Sequence, residues 1–333
     1  MPISNDPIAL AQPLDLASSP ILALQGNILW QVENLSSYAQ RILKEHVAAG
    51  RLSGVIDLWI SAEPPRPPNI KGDGIHPPAI RLHVPFLELL WAFIFGWSVR
   101  YEEAVQKHGL AGIPLPESGP VAELVGAADG LLTWARGLAH QYTPWPADLP
   151  SPRNYGSLQQ QYYGEKTNLM FQKAVAYLIS HEHAHALLGH LRLAADGATS
   201  DASISEMERD ADATALNELV ASSLDDNEKS AEAWAVLGAI LASFYAVRSP
   251  QAALSAEKHL ALHHRLAHVL DALDFQSEGH QFYFRLLSRL VLQDLFPAEL
   301  TPQCQFEDAD EALTDALDRL DAMRVGPSGG SSR

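Results

Sequence analysis

The chain has 333 residues, of which 47% are hydrophobic and 19% are charged, and its formal net charge is −17. This length is enough for one large hydrophobic core or two modest ones. The excess of negative charge argues against binding to a nucleic-acid backbone or to an anionic membrane surface, so we expect neither as a partner. The one cysteine, Cys304, excludes an internal disulfide. A lone cysteine and the lack of a signal-peptide pattern are typical of cytoplasmic proteins.

The N-terminal part of the chain predicts a helix followed by a small β-sheet. A helical pattern begins at Glu33 and continues to Ala48. Residues 54–62 (GVIDLWISA) are rich in β-branched and large apolar side chains, and residues 79–84 (AIRLHV) alternate between apolar and polar, so both segments indicate strands. The stretch 64–78 between them has so many prolines and glycines that it predicts a loop.

From residue 86 onward the sequence predicts helices almost throughout, with a proline-rich break at 142–155. Two segments, 86–99 and 234–247, are apolar enough to be tested as membrane spans. Each has only 14 residues, whereas a span needs about 20, so we expect buried helices and no membrane span.

These patterns together predict a predominantly helical α+β fold. We expect one domain over residues 1–323, with N-terminal strands at about 54–84, a central helix pair at about 168–222 and a helical C-terminal part. Residues 324–333 are rich in glycine and serine and predict a flexible tail.

The first chemically informative motif is HExxH at residues 181–185 (HEHAH). Residues 174–193 contain no proline and one late glycine, so they predict a single helix. His181 and His185 are four residues apart and therefore share one helix face, where both imidazoles can bind one ion. Glu182 lies next to His181, near enough to bind a metal's water without being a ligand. This arrangement is typical of a zinc site with an activated water.

A second motif supplies a third ligand. Glu208 follows His185 by 23 residues and begins an ExxADxxA sequence on a helix predicted over 206–222. Glu208 and Asp212 share a helix face, so Glu208 can bind the metal while Asp212 accepts a hydrogen bond from the distal nitrogen of a ligand histidine. Ala211 and Ala215 are small, which lets this helix approach the first one closely.

Alternative ligand assignments follow from the same spacing rules. Glu206 and Asp210 are also four residues apart, so a register shifted by two residues stays open, although the alanines favour Glu208. On a continuous helix His190, five residues after His185, lies half a turn round from His181 and points elsewhere. His183 lies on the face opposite His181, so we expect neither as a ligand.

The metzincin pattern HExxHxxGxxH requires a glycine and then a histidine at two set positions after the motif. This chain has Leu188 and Leu191 there, and Gly189 and His190 each lie one place away. The metzincin class is therefore disfavoured.

HExxH followed by ExxADxxA resembles the gluzincin class of zinc metallopeptidases. Within that class the chain is similar to the CAAX prenyl proteases, the HtpX heat-shock proteases and soluble phage and bacterial relatives such as the Lit-type phage-exclusion peptidases. The resemblance covers residues 174–265 and implies a zincin-like helix pair and a Zn²⁺ cofactor. It also implies endopeptidase activity on a protein or peptide substrate, with Glu182 as general base.

A third fragment of the resemblance concerns the oxyanion that forms during peptide hydrolysis. These families carry HP-x4-R after the metal helices, and this chain has the same spacing from His259 to Arg265, with Leu260 in place of proline. The resemblance implies that Arg265 lies in or beside the active site. Arg265 and His259 are the first candidates to stabilise the oxyanion. The further candidates are His263, His264, Tyr162 and Tyr163.

Two other functions are compatible with these motifs. One is a non-proteolytic metal-binding protein that retains the helix pair and acts in regulation or interaction. The other is a helical scaffold in which HExxH occurs by chance. Glu182 separates the first from a peptidase, because a purely structural zinc site needs no carboxylate beside its water.

Overall fold

A small sheet near the N-terminus precedes a set of long helices. The computed structural model describes residues 9–10, 19–34, 37–72, 75–195, 200–220, 225–247, 249–254, 261–302 and 305–325; Cys304 lies outside them. The predominantly helical α+β fold with a small N-terminal sheet is confirmed.

The sheet has the strand order β1-β2-β4-β3. Its strands are β1 (Ala9–Leu10), β2 (Val55–Trp59), β3 (Asn69–Lys71) and β4 (Ala79–His83). The pairs β1–β2 and β2–β4 are parallel, and β3 runs antiparallel to β4. The apolar side chains of the two predicted strands, Ile56, Ile80 and Leu82, are buried in the core.

Strand β3 contradicts the prediction of a loop over 64–78. Asn69–Lys71 is a three-residue stretch free of proline and glycine, and Ile70 lies opposite Ile80 of β4. Proline lacks the N–H that a sheet ladder needs, so the flanking prolines are compatible only with a short strand at a sheet edge. Among the described residues β3 pairs with β4 alone, which makes it such an edge.

Helices account for most of the described chain. They are α1 (Gln25–Glu33), α2 (Ser37–Ala48), α3 (Val84–Val99), α4 (Pro120–Leu138), α5 (Leu158–Leu187), α6 (His190–Ala195), α7 (Asp201–Val220), α8 (Asp226–Tyr245), α9 (Pro250–Leu254), α10 (Leu262–Leu273), α11 (Glu278–Leu295) and α12 (Ala309–Val325). A 3₁₀ turn, Pro20–Leu24, precedes α1, and a π-helix, Arg100–Gly109, follows α3.

Several predicted boundaries differ from these. The N-terminal helix predicted from Glu33 begins at Ser37, because the chain turns at Asn34 after the unpredicted α1. Arg324 and Val325 belong to α12 rather than to a tail, and residues 326–333 lie outside the described part of the chain.

The two apolar segments are buried helices, as predicted. Every residue of α3 is buried, and α8 is buried from Ala233 to its end. Helix α3 packs against α4, α5 and α8, and it approaches α4 closely at Gly96, where a Cβ would lie 2.4 Å from Cγ of Leu132. Of the helices in the described ranges, none combines the length and the apolar character that crossing a bilayer requires.

The helix that carries HExxH is interrupted, which contradicts the prediction of one helix over 174–193. Helix α5 ends at Leu187, and α6 begins at His190. Between them Gly189 has a φ of +77°, in the left-handed region that glycine enters without a Cβ clash. His190 therefore does not continue the face pattern of α5.

Candidate metal centre

Three side chains from two helices, α5 and α7, converge on one another. The Nε2 atoms of His181 and His185, both on α5, lie 3.2 Å apart. From α7, Glu208 places Oε2 at 3.5 Å from Nε2 of His181 and Oε1 at 3.6 Å from Nε2 of His185. The ligand atoms of a tetrahedral zinc ion, with bonds of about 2.0–2.2 Å, lie about 3.3–3.6 Å apart. The donor types and their spacing therefore fit a divalent metal such as zinc.

Helix α7 brings Glu208 rather than Glu206 to the two histidines. Glu208 is only 5% exposed and shares a face with the fully buried Ala211 and Ala215, whereas Glu206 and Asp210 are exposed. The helix begins at Asp201, five residues before the predicted start. A face with two alanines lets α7 pack tightly on α5, and this gives a short glutamate the reach to join the cluster.

Behind the three donors lies Asp212, which is fully buried. Its Oδ1 accepts a hydrogen bond from Nδ1 of His181 at 2.9 Å and another from the hydroxyl of Tyr177 at 2.7 Å. Arg265 of α10 donates to both carboxylate oxygens, at 2.6 and 2.9 Å. Burial would raise the pKa of Asp212, but the charges of Arg265 and His181 outweigh burial and hold this pKa well below its usual range.

The Asp212 contact determines which nitrogen of His181 faces the cluster. Because Nδ1 of His181 donates to Asp212, Nε2 is the nitrogen that lies beside Glu208. Burial and the charge of Arg265 lower the pKa of His181. The carboxylates of Asp212 and Glu208 outweigh both effects and raise this pKa to about 9. A metal ion held by this cluster would therefore compete with a proton for Nε2 of His181.

The pKa of His185 shifts in the opposite direction from that of His181. Burial, followed by the charge of the neighbouring His181, lowers the pKa of His185 to about 3. Its imidazole is therefore neutral over the physiological range, and a neutral imidazole is the form that binds metals.

The general-base candidate Glu182 lies directly after His181 on α5 and is 9% exposed. Its neighbour His183 lies on another face of the helix, where it is buried edge-on against His46 of α2 with ring centroids 5.3 Å apart. Burial, together with His46, lowers the pKa of His183 to about 4. His183 is thus a neutral core histidine outside the three-donor cluster.

Of the predicted oxyanion candidates, the structure brings Arg265 to the cluster, with its Nη1 3.8 Å from Oε2 of Glu208. His263 and His264 instead both direct Nε2 at one oxygen of Asp321 on α12, at 3.0 and 2.7 Å. His259 lies outside the described residues.

The two tyrosine candidates lie elsewhere on α5. Tyr162 is exposed, and the hydroxyl of Tyr163 donates to Glu103 on the π-helix. Among the candidates that the structure describes, Arg265 is therefore the one in contact with the metal-site residues.

The sequence analysis overlooked Tyr177 and placed His190 away from the ligands. Tyr177 lies one helical turn before His181, and the four-residue spacing alone indicates that it shares the face of the two ligand histidines. His190 places Nδ1 at 3.0 Å from Nδ1 of His185. Its signal was Gly189, since a glycine late in a helical pattern is also a helix C-terminus signal.

Comparison with known protein families identifies a peptidase family. The family model described as Peptidase U49 matches residues 80–285, which is more than half of the chain and includes both metal-site motifs. The chain belongs to the Peptidase U49 family. No curated protein and no solved structure matches it.

Proposed function

We propose that the protein is a zinc-dependent endopeptidase of the gluzincin type in which His181, His185 and Glu208 hold the metal. The observation that carries this proposal is the spacing of the three donors, 3.2–3.6 Å, in a chain of a peptidase family. The resemblance of HExxH and ExxADxxA to gluzincin motifs supports zinc as the metal.

Glu182 is the general base of the proposed reaction. Zinc, when bound, supplies a Lewis acid that polarises the scissile carbonyl and lowers the pKa of a water molecule. Glu182 takes the proton of the attacking water and then delivers it to the nitrogen of the leaving amine. Glu182 lies directly after His181 on α5 and is not one of the three clustered donors, which is the position that a general base takes beside a metal ligand.

Asp212 and Arg265 support the metal site in this proposal. Asp212 fixes the tautomer and the orientation of His181 through the 2.9 Å hydrogen bond to Nδ1. Arg265 compensates the buried charge of Asp212, and its Nη1 lies 3.8 Å from Oε2 of Glu208, so it is also the proposed stabiliser of the oxyanion. For His259 the proposal of the same role rests on the sequence spacing alone.

Strand β3 offers a route for substrate binding. It is an edge of the sheet and packs against α5, the helix that carries Glu182. An extended peptide can add to such an edge through main-chain hydrogen bonds, which suits a protein substrate in an unfolded or loop conformation.

The first experiment combines metal content with hydrolysis of a denatured model protein such as casein. We expect about one zinc per chain in the wild type and in Glu182→Gln, but hydrolysis only in the wild type. Glu208→Gln should lose zinc, whereas Glu206→Gln, a change at an exposed position of the same helix, should retain it.

Each outcome has a separate meaning. An active Glu182→Gln protein would overturn the proposed role of Glu182. Equal zinc loss in the Glu206 and Glu208 variants would overturn the ligand set. If the wild type binds no zinc after dialysis against a zinc-containing buffer, the metallopeptidase proposal is wrong.

A further inference from the structure

His190 contacts the side of His185 that faces away from the three-donor cluster. The Nδ1 atoms of the two imidazoles lie 3.0 Å apart, while Nε2 of His185 lies 3.2 Å from Nε2 of His181. The rings of His185 and His190 are inclined at 65° with centroids 5.2 Å apart, and His190 is only 6% exposed. The contact is therefore a partly buried hydrogen bond between rings in an edge arrangement rather than a stacking contact.

The chain reaches this position because α5 ends at Leu187, six residues before the end of the helix predicted over 174–193. Gly189 adopts a φ of +77°, and α6 restarts at His190. His190 is five residues after His185, and on a continuous helix this spacing would place it on another face. The left-handed turn at Gly189 thus places the imidazole of His190 beside that of His185.

The chemistry of the pair follows from counting protons. Two Nδ1 atoms at hydrogen-bond distance need one donor and one acceptor. When Nε2 of a neutral His185 uses its lone pair as a ligand, its proton is on Nδ1, so His185 donates. His190 then accepts on Nδ1 and carries its own proton on Nε2.

We propose that His190 is a positioning residue for the metal site, which accepts the Nδ1 hydrogen of His185 and so fixes the orientation and tautomer of this ligand. This inference rests on the zinc site proposed above. It gives each ligand histidine its own acceptor: a carboxylate, Asp212, for His181, and a neutral imidazole, His190, for His185. Such partners orient the ligand ring and raise its basicity toward the metal.

The test compares two substitutions of nearly equal shape at position 190. In His190→Asn the amide oxygen can occupy the place of Nδ1 and accept a hydrogen bond, whereas His190→Leu fills the same space without an acceptor. The affinity for Zn²⁺ is measured on the metal-free proteins by competition with a chromogenic chelator, independently of activity.

We expect His190→Leu to bind Zn²⁺ about 10–100-fold more weakly than the wild type, and His190→Asn to regain most of this loss. In the zinc-loaded wild type, ¹H–¹⁵N spectra of the imidazoles should show His185 protonated at Nδ1 and His190 at Nε2. His190→Leu with wild-type affinity would overturn the proposal, and so would equal weakening in the Leu and Asn variants.

A second variant covers the case in which His190→Leu does not fold. A Cβ at Gly189 meets no atom within 4 Å, so Gly189→Ala changes only the backbone preference of the turn. It should weaken Zn²⁺ binding in the same direction, and unchanged affinity in this variant would also contradict the proposal. If the wild type itself binds no Zn²⁺, the metallopeptidase proposal fails, whereas a zinc-binding wild type with unaffected variants removes only the role of His190.

Discussion

At the scale of single residues, Asp212 is the point where three helices meet. Its carboxylate accepts hydrogen bonds from Tyr177 and His181 of α5 and from Arg265 of α10, and it is itself part of α7. A buried ion pair of this kind contributes little compared with an apolar replacement of both partners, but the removal of one partner leaves the other charge buried without compensation.

Asp212→Asn should therefore be strongly destabilising. The amide keeps the shape of the side chain but leaves the guanidinium of Arg265 without its counter-charge, so we expect a loss of about 3–5 kcal/mol in the free energy of unfolding. Urea unfolding of the metal-free protein measures this loss. The control is Asp210→Asn, an exposed position on the same helix, which should stay within about 0.5 kcal/mol of the wild type. Equal midpoints for the two variants would show that Asp212 does not hold this junction.

At the scale of elements, α3 buries a carboxyl group, Glu88, among apolar residues. Glu88 is fully buried, and its Oε1 accepts a hydrogen bond from the hydroxyl of Ser19 at 2.6 Å. Burial raises the pKa of Glu88 to about 7, despite the opposing effect of the hydroxyls of Ser19 and Tyr142. The folded protein therefore binds the proton of Glu88 more tightly than the unfolded chain does.

The sign of the resulting pH dependence follows from proton linkage. Because the folded pKa is above the unfolded value of 4.5, the contribution of Glu88 to stability is complete below pH 4.5 and is lost as the pH rises to about 7. Glu88→Gln stays neutral, so its stability relative to the wild type should rise by up to about 3 kcal/mol across this interval. Urea unfolding from pH 4.5 to 8 measures the difference. A difference that stays constant over this pH range would contradict the prediction.

Elements of the site that depend on local periodicity were predictable from the sequence. Four-residue spacing placed His181 with His185, and Glu208 with Asp212, because each pair lies within one helix. The buried nature of α3 and α8 also followed from composition and length.

The remaining features depend on long-range contacts or on a choice between two local conformations. Gly189 is compatible with a helix interior and with a helix end, and only the packing of His190 on His185 shows which one the chain adopts. Strand β3 has three residues and exists through its pairing with β4. The contact of Arg265 with Asp212 joins residues 53 positions apart. The resemblance implied that Arg265 lies in or beside the active site, but no periodicity identifies Asp212 as its partner.

At the scale of the whole molecule, the proposed metal couples α5 to α7 and should stabilise the fold. A ligand that binds only the folded state adds about 4 kcal/mol at a free concentration one thousand times its dissociation constant. We expect chelation to lower the Tm by several degrees and added zinc to restore it, as measured by calorimetry with and without chelator. Glu208→Gln, in which a proposed ligand is lost, should show no zinc-dependent shift. A wild-type Tm that does not respond to zinc would contradict the proposed coupling.

The hydrogen bonds of His263 and His264 to Asp321 connect α10, which also contacts the candidate metal centre, to α12. The imidazoles of His263 and His264 contact α12, and the next residue, Arg265, donates to Asp212 at the candidate metal centre. A shortened chain that stops before Asp321 would lose both of these hydrogen bonds while keeping every proposed metal ligand. If such a chain loses hydrolysis but keeps its zinc, the loss reports a displaced Arg265. If it loses zinc as well, the metal site itself is disturbed.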